Sequence, residues 1–281
     1  MSIPNLHIIG ESINDSVPST RELFDAGDID GIKSLARFQD EGGACYIDVN
    51  VGGRSSDFFV TIIRTVQNAV SKPLSIDSPD PVMAEAALSV YEDSAGKPIL
   101  NSISPLRIGM FDLYKIKPFR PILLISESVH GACRTAEETY EAARLMLSES
   151  RRMGIPNDDL IFDPGIAPIG SDSDGNLARL LATLKLMQAD QEFKGVHVSV
   201  GLSNFTIMLP PKRKVDGTPV KSPLESAFLT MAMPLGLDYV VGSVKRDYRI
   251  LPEDHPALIC LDECLKTTGF ESIMRVRKFY K

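Results

Sequence analysis

Short apolar runs alternate with longer amphipathic stretches along the chain. The runs are rich in β-branched residues and end in polar ones, which is the pattern of buried strands. They recur roughly every 30 to 40 residues, the spacing of a strand followed by a helix. The pattern predicts strands at residues 6–10, 46–51, 73–77, 99–104, 121–126, 160–164, 196–203 and 239–244.

The stretches between these runs carry helical signals. Thr135 and Glu138 form a capping-box pattern that opens a helix, and Gly154 lies just past its expected end. Cap candidates at residues 55–57 precede apolar residues at intervals of three and four, which predicts a second helix through Phe59, Ile62, Ile63, Val66 and Val70. Similar spacing predicts further helices at residues 178–185 and, after Pro223, at 224–231.

Strands and helices that alternate in this way predict an α/β fold. Eight such units in 281 residues match the (β/α)8 TIM barrel in count and length. An open, doubly wound sheet is the alternative, but residues 10–14 read Gly-Glu-Ser-Ile-Asn and lack its glycine-rich turn. No linker rich in Pro, Gly or Ser divides the chain, so a single domain over residues 1–281 is predicted.

Composition and charge narrow the classes of partner. A net charge of -7 at pH 7 argues against nucleic acid and against an anionic membrane surface. No apolar run approaches the roughly 20 residues that cross a bilayer, and residues 1–10 lack a signal-peptide pattern. We therefore expect a cytoplasmic protein. Its 4 cysteines are too few for a disulfide framework.

Polar residues stand at the ends of the predicted strands, where a parallel barrel builds its active site. Each could instead cap a helix or hold a loop, as Asp77 could, although Ser78 and Asp80 are better placed to cap. Together they are hard to explain as caps, because no cation accompanies them and buried carboxylates need partners. A ligand with a donor-rich heteroaromatic edge would satisfy them. They are Glu11, Asn14, Asp48, Asn50, Asp77, Asn101, Ser126, Glu127, Asp163, Ser203 and Asn204.

Other chemistries lack their motifs. The 4 histidines do not stand among the strand-tip carboxylates in a ligand spacing, so no bound metal is expected. Cys260 and Cys264 are explained by packing on a helix rather than by zinc, since no CxxC pair accompanies them. No phosphate-binding loop is present, and Ser203 has no histidine base at a comparable strand tip.

The strand-tip residues resemble those of the pterin-binding barrel family, which includes dihydropteroate synthase and the methyltetrahydrofolate:corrinoid methyltransferases. The resemblance covers nearly all of the predicted strands. Any one motif is weak, whereas all of them in this order at strand tips are strong. The motifs are Ile-Gly-Glu-Ser-Ile-Asn (9–14), Gly-Ala-Cys-Tyr-Ile-Asp-Val-Asn (43–50), Ser-Ile-Asp-Ser (75–78), Leu-Asn-Ser-Ile (100–103), Phe-Asp-Pro-Gly (162–165) and Gly-Leu-Ser-Asn (201–204).

This resemblance implies that Asp77, Asn101 and Asp163 hydrogen-bond the polar edge of a pterin. The implied contacts agree with the chemistry of the side chains, because carboxylates accept from ring N–H and amino groups while an amide both donates and accepts. Gly201 and Ser203 are implied to belong to the same binding site. Further candidates at the neighbouring strand tips are Glu11, Asn14, Asp48 and Asn50.

The residues after the seventh strand separate two branches of the family. The synthase branch typically places Ser-Arg-Lys after the glycine of this strand, whereas residues 203–205 here read Ser-Asn-Phe, as in the corrinoid methyltransferase branch. The resemblance therefore implies that Asn204 is catalytic. Its amide would hydrogen-bond the five-position nitrogen of the folate and stabilise it as the methyl group leaves.

The implied function is a methyltransferase that moves a methyl group between 5-methyltetrahydrofolate or tetrahydrofolate and the cobalt of a corrinoid. A separate corrinoid protein would carry that cofactor, because no Asp-x-His-x-x-Gly motif of a cobalamin-binding module is present. Relatives suggest a homodimer. The direction of transfer stays open, including a role as the folate-side component of a demethylase system. A dihydropteroate synthase-like enzyme and a non-catalytic folate-binding module are the alternatives.

The segment 205–222 departs from the family pattern and has no predicted role. Its basic residues Lys212, Arg213 and Lys214 could meet a folate glutamate carboxylate or an acidic partner, or they could form an ordinary solvated loop.

Overall fold

The computed structural model describes residues 3–281 and confirms the predicted barrel. Met1 and Ser2, where the predicted domain begins, lie outside the described residues. Eight parallel strands close on themselves, and each is hydrogen-bonded to two neighbours. Around the barrel they are β1 (His7–Asn14), β2 (Tyr46–Asn50), β3 (Leu74–Asp77), β4 (Ile99–Ile103), β5 (Arg120–Leu124), β8 (Ile161–Asp163), β9 (His197–Gly201) and β10 (Tyr239–Gly242).

Helices follow the strands and cover the outside of the barrel. The predicted caps are present: Ser55 accepts from the N–H of Phe58, and Thr135 and Glu138 form the reciprocal capping box. Asp80 also acts as the expected cap. The helices are α1 (Pro18–Ala26), α2 (Ile29–Glu41), α3 (Ser56–Gln67), α4 (Pro81–Val90), α5 (Ala136–Arg152), α6 (Asn176–Ala189), α7 (Leu202–Phe205), α8 (Lys221–Ala232), α9 (Pro256–Leu265) and α10 (Phe270–Tyr280).

Some predicted boundaries near the site were wrong. Glu11 and Asn14 lie within β1 rather than after it, because the register shifts between Gly10 and Ile13 and the strand then continues beside β2. The predicted strand 196–203 ends early, and Ser203 lies on the short helix α7. Glu127 belongs to a small hairpin that the sequence did not predict, formed by β6 (Glu127–Ser128) and β7 (Gly131–Ala132).

The core has two parts. A small cluster inside the barrel includes Ile9, Ile122 and Tyr239, and a larger one fills the layer between strands and helices. At the amino-terminal end of the barrel, Arg120 donates to the hydroxyl of Tyr239 at 2.8 Å, so polar side chains occupy this end. The carboxyl-terminal end is left for the loops that carry function.

The cysteine pair on α9 packs in the helical core, as predicted. Cys260 and Cys264 are buried, and their thiols lie 3.7 Å and 3.6 Å from backbone oxygens of α10. Within residues 3–281, no helix is both long and apolar enough to cross a membrane.

Candidate functional site

A cavity of about 620 Å³ opens at the carboxyl-terminal ends of the barrel strands. Of the strand-tip residues that the sequence singled out, Asn50, Ser126 and Glu127 do not line it. The predicted residues in its wall come from β1, β2, β3, β4, β8 and the β9–α7 turn: Glu11, Asn14, Asp48, Asp77, Asn101, Asp163, Gly201, Ser203 and Asn204. Residues that were not predicted individually as site residues also line it, among them Ser102, Gly165, Ile166 and Ile207.

Two aspartates on adjacent strands form one wall. Asp48 is 1% exposed, and the hydroxyl of Ser75 donates to its Oδ1 at 2.5 Å. Burial, together with the neighbouring charge of Asp77, raises the pKa of Asp48 well above its ordinary value. Burial also raises the pKa of Asp77 to about 6, although a hydrogen bond from Asn50 opposes the shift. Both carboxyl groups therefore hold a proton more tightly than an exposed aspartate does.

Asn50 supports this wall from behind. Its Nδ2 donates to Oδ2 of Asp77 at 2.9 Å, and its Oδ1 accepts from the N–H of Gly52 at 2.8 Å. Both ends of the amide are thus occupied by the protein. Asn50 therefore orients Asp77 instead of facing the cavity.

Asp163 lies on the next part of the wall, at the end of β8. Its Oδ1 accepts from the N–H of Gly165 at 2.8 Å, which leaves Oδ2 for a ligand. Gly165 has φ of 68°, and a Cβ there would lie 2.6 Å from Cβ of Ser126, so this turn requires glycine. Burial raises the pKa of Asp163 to about 7, while the Gly165 hydrogen bond and the charge of Arg179 oppose that rise.

Arg179 is a site residue that the sequence did not reveal. It lies on α6, and its guanidinium donates to Thr139 and to the carbonyl oxygens of Pro164 and Gly165 at 2.8 to 3.4 Å. Within residues 3–281 no ion pair joins Arg179 to Asp163, but the charge of Arg179 opposes the rise in the pKa of that carboxyl group. A lone arginine on a helix gives no sequence signal of this contact.

Two asparagines offer amide groups to the cavity. Asn101 lines the cavity beside Asp48, and a hydrogen bond from its amide opposes the rise in the pKa of that carboxyl group. Oδ1 of Asn14 accepts from the backbone N–H and the hydroxyl of Ser16, at 2.9 and 2.7 Å. This arrangement leaves the Nδ2 donors of Asn14 available.

The turn from β9 into α7 carries the remaining predicted residues. The hydroxyl of Ser203 donates to Oε2 of Glu11 at 2.8 Å and so joins the β9–α7 turn to β1, across the tip of β10 that lies between them. Burial raises the pKa of Glu11, and the hydrogen bond from Ser203 opposes the shift. Asn204 is exposed, lines the cavity, and lies close to Gly201, where a Cβ would meet its Nδ2 at 2.9 Å.

Glu225 on α8 braces this turn and was also missed. Its side chain is fully buried, it accepts at Oε1 from the hydroxyl of Thr206 at 2.5 Å, and Arg246 lies 3.4 Å from its Oε2. A signal was available, since Glu225 stands next to Leu224 and two and three positions before Ala227 and Phe228 on a largely apolar helix, and a carboxylate buried there needs a partner. The turn that holds Asn204 is therefore fixed on its far side by a buried carboxyl group.

The structure gives the basic residues 212–214 different environments. Arg213 donates to the carbonyl oxygen of Phe279 at 2.8 Å and pairs with Asp216 at 3.0 Å, so it ties this segment to α10. Lys212 and Lys214 are exposed. In the part of the chain that the structure describes, no group of three or more His, Cys, Asp or Glu side chains could hold a metal ion.

Comparisons with known proteins identify the family of the chain. The family model described as pterin binding enzyme matches residues 20–241. A methylcorrinoid:tetrahydrofolate methyltransferase from Eubacterium limosum is 25% identical over 243 residues, which is 83% of each chain.

Solved structures of dihydropteroate synthases are similar in fold. The enzyme from Vibrio fischeri ES114 has a TM-score of 0.58 and 19% identity, with 84% of this chain and 86% of that chain covered. The enzyme from Xanthomonas albilineans, solved with 4-aminobenzoic acid, has a TM-score of 0.58 and 17% identity, with 96% of each chain covered. Because the family model spans most of the sequence, the chain belongs to the pterin-binding enzyme family.

Proposed function

We propose that this protein moves a methyl group between the five-position nitrogen of tetrahydrofolate and the cobalt of a corrinoid held on a separate protein. The observation that carries the proposal is Asn204, an exposed amide in a cavity whose other polar groups suit a pterin. The Eubacterium limosum relative, named as a methylcorrinoid:tetrahydrofolate methyltransferase, supports it.

The pterin edge would be bound by the acidic wall. A tetrahydropterin presents ring N–H groups and an exocyclic amino group as donors, and a carbonyl oxygen and a ring nitrogen as acceptors. Oδ2 of Asp163 and the Asp48–Asp77 pair supply acceptors, and Asn101 supplies both kinds of group. Donors from the ligand would offset the cost of burying these carboxyl groups.

Asn204 would act on the reacting nitrogen. When the methyl group leaves the folate, an electron pair remains on the five-position nitrogen, and an amide N–H can stabilise it by donating a hydrogen bond. An interaction that strengthens in this way lowers the barrier more than it tightens substrate binding. Gly201 permits this placement, because a side chain there would displace the amide.

For transfer toward the folate, the five-position nitrogen gives its electron pair to the methyl carbon and loses a proton. Glu11 can accept that proton, since its carboxylate lines the cavity and burial raises its pKa. The corrinoid supplies the cobalt that gives up or receives the methyl group. The relative is named for transfer from a methylcorrinoid, and we propose the same direction here, as the folate-side component of a demethylase system.

The partner would dock over the mouth of the cavity. Exposed apolar side chains lie on the loops that follow β4, β5 and β9, and Ile207 among them also lines the cavity. Such residues suit a transient protein interface. They are Leu106, Val129, Ile207 and Met208. A homodimer, expected from relatives, remains a prediction.

A dihydropteroate synthase-like activity is the rival proposal. The likeness to the solved synthases, at 17% to 19% identity, concerns the fold. That chemistry would need a cation after the β9 glycine to receive diphosphate, whereas residues 203–205 read Ser-Asn-Phe. The methyltransferase proposal therefore fits this turn better.

The test supplies the purified chain with tetrahydrofolate and free methylcobalamin without oxygen, and separately with p-aminobenzoate and a pterin diphosphate. We expect tetrahydrofolate binding and formation of 5-methyltetrahydrofolate above the rate without protein. Condensation of p-aminobenzoate in place of methyl transfer would overturn the proposal. Tight folate binding with no methyl transfer in either direction would instead favour a non-catalytic module.

A further inference from the structure

An arginine lies against the cavity wall on the loop that follows β4. Nη2 of Arg107 is 3.5 Å from the hydroxyl of Ser102, and Ser102 lines the cavity beside Asn101. The backbone of Arg107 departs from helical geometry, with φ of -130° and ψ of 34°, and thereby interrupts the 3-10 turns of residues 105–115. The kink places a guanidinium group next to a cavity whose charged lining residues are all acidic.

The protein does not satisfy this guanidinium. Its Nη1 is 3.7 Å from Oε1 of Glu127, which is an ion pair too long for a hydrogen bond. Nε of Arg107 and Oε1 of Glu127 are both shielded from solvent and have no hydrogen-bond partner within residues 3–281. A guanidinium carries five N–H donors, and donors shielded without acceptors cost free energy. Arg107 is therefore free to bind an anionic group.

Other cations near the wall are engaged differently. Nη1 and Nη2 of Arg179 donate to Thr139 and to the carbonyl oxygens of the Gly165 turn, although its Nε, like that of Arg107, is shielded without a partner within residues 3–281. Lys221 reaches the backbone oxygen of Ile207 at 3.4 Å, on the β9 side of the mouth. Arg107 differs from both because its weak contacts are made to side chains at the rim, where an entering ligand can replace them.

We infer that Arg107 is an anion subsite that binds a carboxylate of the p-aminobenzoylglutamate tail of the folate. This inference rests on the proposed function. The floor of the cavity bears Glu11, Asp48 and Asp77, which repel the tail carboxylates and favour the rim for them. Glu127 competes for the same guanidinium and weakens the subsite in the free protein.

The test compares two ligands by titration without oxygen: tetrahydrofolate, and 6-methyltetrahydropterin, which lacks the tail. In Arg107→Ala we expect the tetrahydrofolate affinity to fall about fivefold to tenfold, the scale of one charge-assisted contact at a half-exposed site. The 6-methyltetrahydropterin affinity should stay within about twofold. The loss should shrink as salt concentration rises.

Glu127→Gln should change the tetrahydrofolate affinity in the opposite direction. This second variant keeps the test decisive if Arg107→Ala fails to fold. It removes the competing charge, so tetrahydrofolate should bind tighter while 6-methyltetrahydropterin is unaffected. Lys221→Met is the matched control and should change neither affinity. Equal losses for both ligands in Arg107→Ala, or a selective loss in Lys221→Met alone, would overturn the subsite. If the wild-type protein binds neither pterin, the proposed function itself fails.

Discussion

A Cβ on Gly201 would lie 2.9 Å from Nδ2 of Asn204. This distance is shorter than real Cβ contacts, so any side chain at position 201 must move the amide that reaches the cavity. Two residues after Asn204, the hydroxyl of Thr206 donates to the buried Glu225 and anchors this turn to α8. The amide therefore occupies a gap that exists because residue 201 has no side chain.

Gly201→Ala should slow methyl transfer while the protein remains folded. Gly201 has φ of -74°, which alanine adopts without strain, so the clash with Asn204 is the main effect. We expect transfer to slow by about 10-fold to 100-fold, with folate affinity changed less than that. Single-turnover rates and titrations would measure both. Gly53→Ala is the control, because a Cβ there meets nothing within 4 Å; equal losses in the two variants would contradict the argument.

The pterin pocket is tested by alanine substitutions of Asp77, Asn101 and Asp163. Each should weaken folate binding by about 1 to 3 kcal/mol, since a ring donor or acceptor loses its partner. Calorimetric titration with 5-methyltetrahydrofolate would measure the change. Asp80→Ala is the comparison, because Asp80 caps α4 and should affect stability without affecting affinity. Unchanged affinity in all three pocket variants would remove these residues from the site.

The buried charge of Asp163 should make stability depend on pH. Burial raises its pKa to about 7 in the folded protein, above its ordinary value of 3.8, so the folded state holds the proton more tightly. The stabilisation is full below pH 3.8 and is lost as the pH rises through about 7.

Asp163→Asn does not titrate, and the other acidic groups titrate in both proteins. The melting temperature of the variant, relative to wild type, should therefore rise by about 2 to 6 °C between pH 5 and pH 8. Thermal melts of the ligand-free proteins across this range measure the difference. A difference that stays constant with pH would show that Asp163 is not a buried, charge-destabilised group.

The strand-tip residues could be predicted because a polar residue at the end of a buried strand lies at the carboxyl-terminal end of the barrel, where the loops form a site. The order of Asp77, Asn101 and Asp163 along the chain was enough to bring them to one cavity once the strands closed into a barrel. Local caps such as Ser55 were predictable for the same reason, because each depends on residues that are close in sequence.

The residues that hold the site residues in place could not be predicted from the order of residues along the chain. Arg179 and Glu225 reach it from helices, and their contacts depend on how those helices pack. The extension of β1 through Asn14 depends on a register shift against β2, which apolar periodicity does not record. The sequence therefore predicted which helices and strands form, but it did not predict which side chains meet when those elements pack together.

The isolated protein should carry no tightly bound cobalamin. The barrel strands and their helices extend over residues 7–280, and the proposed corrinoid arrives on a separate protein. We expect the purified chain to show no visible cobalamin absorbance after expression in medium that contains the vitamin. Absorbance in a stoichiometric amount that survives gel filtration would contradict the requirement for a separate carrier.

The most direct test of the account is Asn204→Ala, measured by direct titration with 5-methyltetrahydrofolate and by single-turnover mixing with reduced cobalamin. If the amide stabilises the departing nitrogen, the variant should bind the folate within roughly tenfold of wild type. Methyl transfer should slow by about 10² to 10³, the scale of losing one such hydrogen-bonding group. A folded Asn204→Ala protein that transfers the methyl group at nearly the wild-type rate would contradict the proposed role of Asn204.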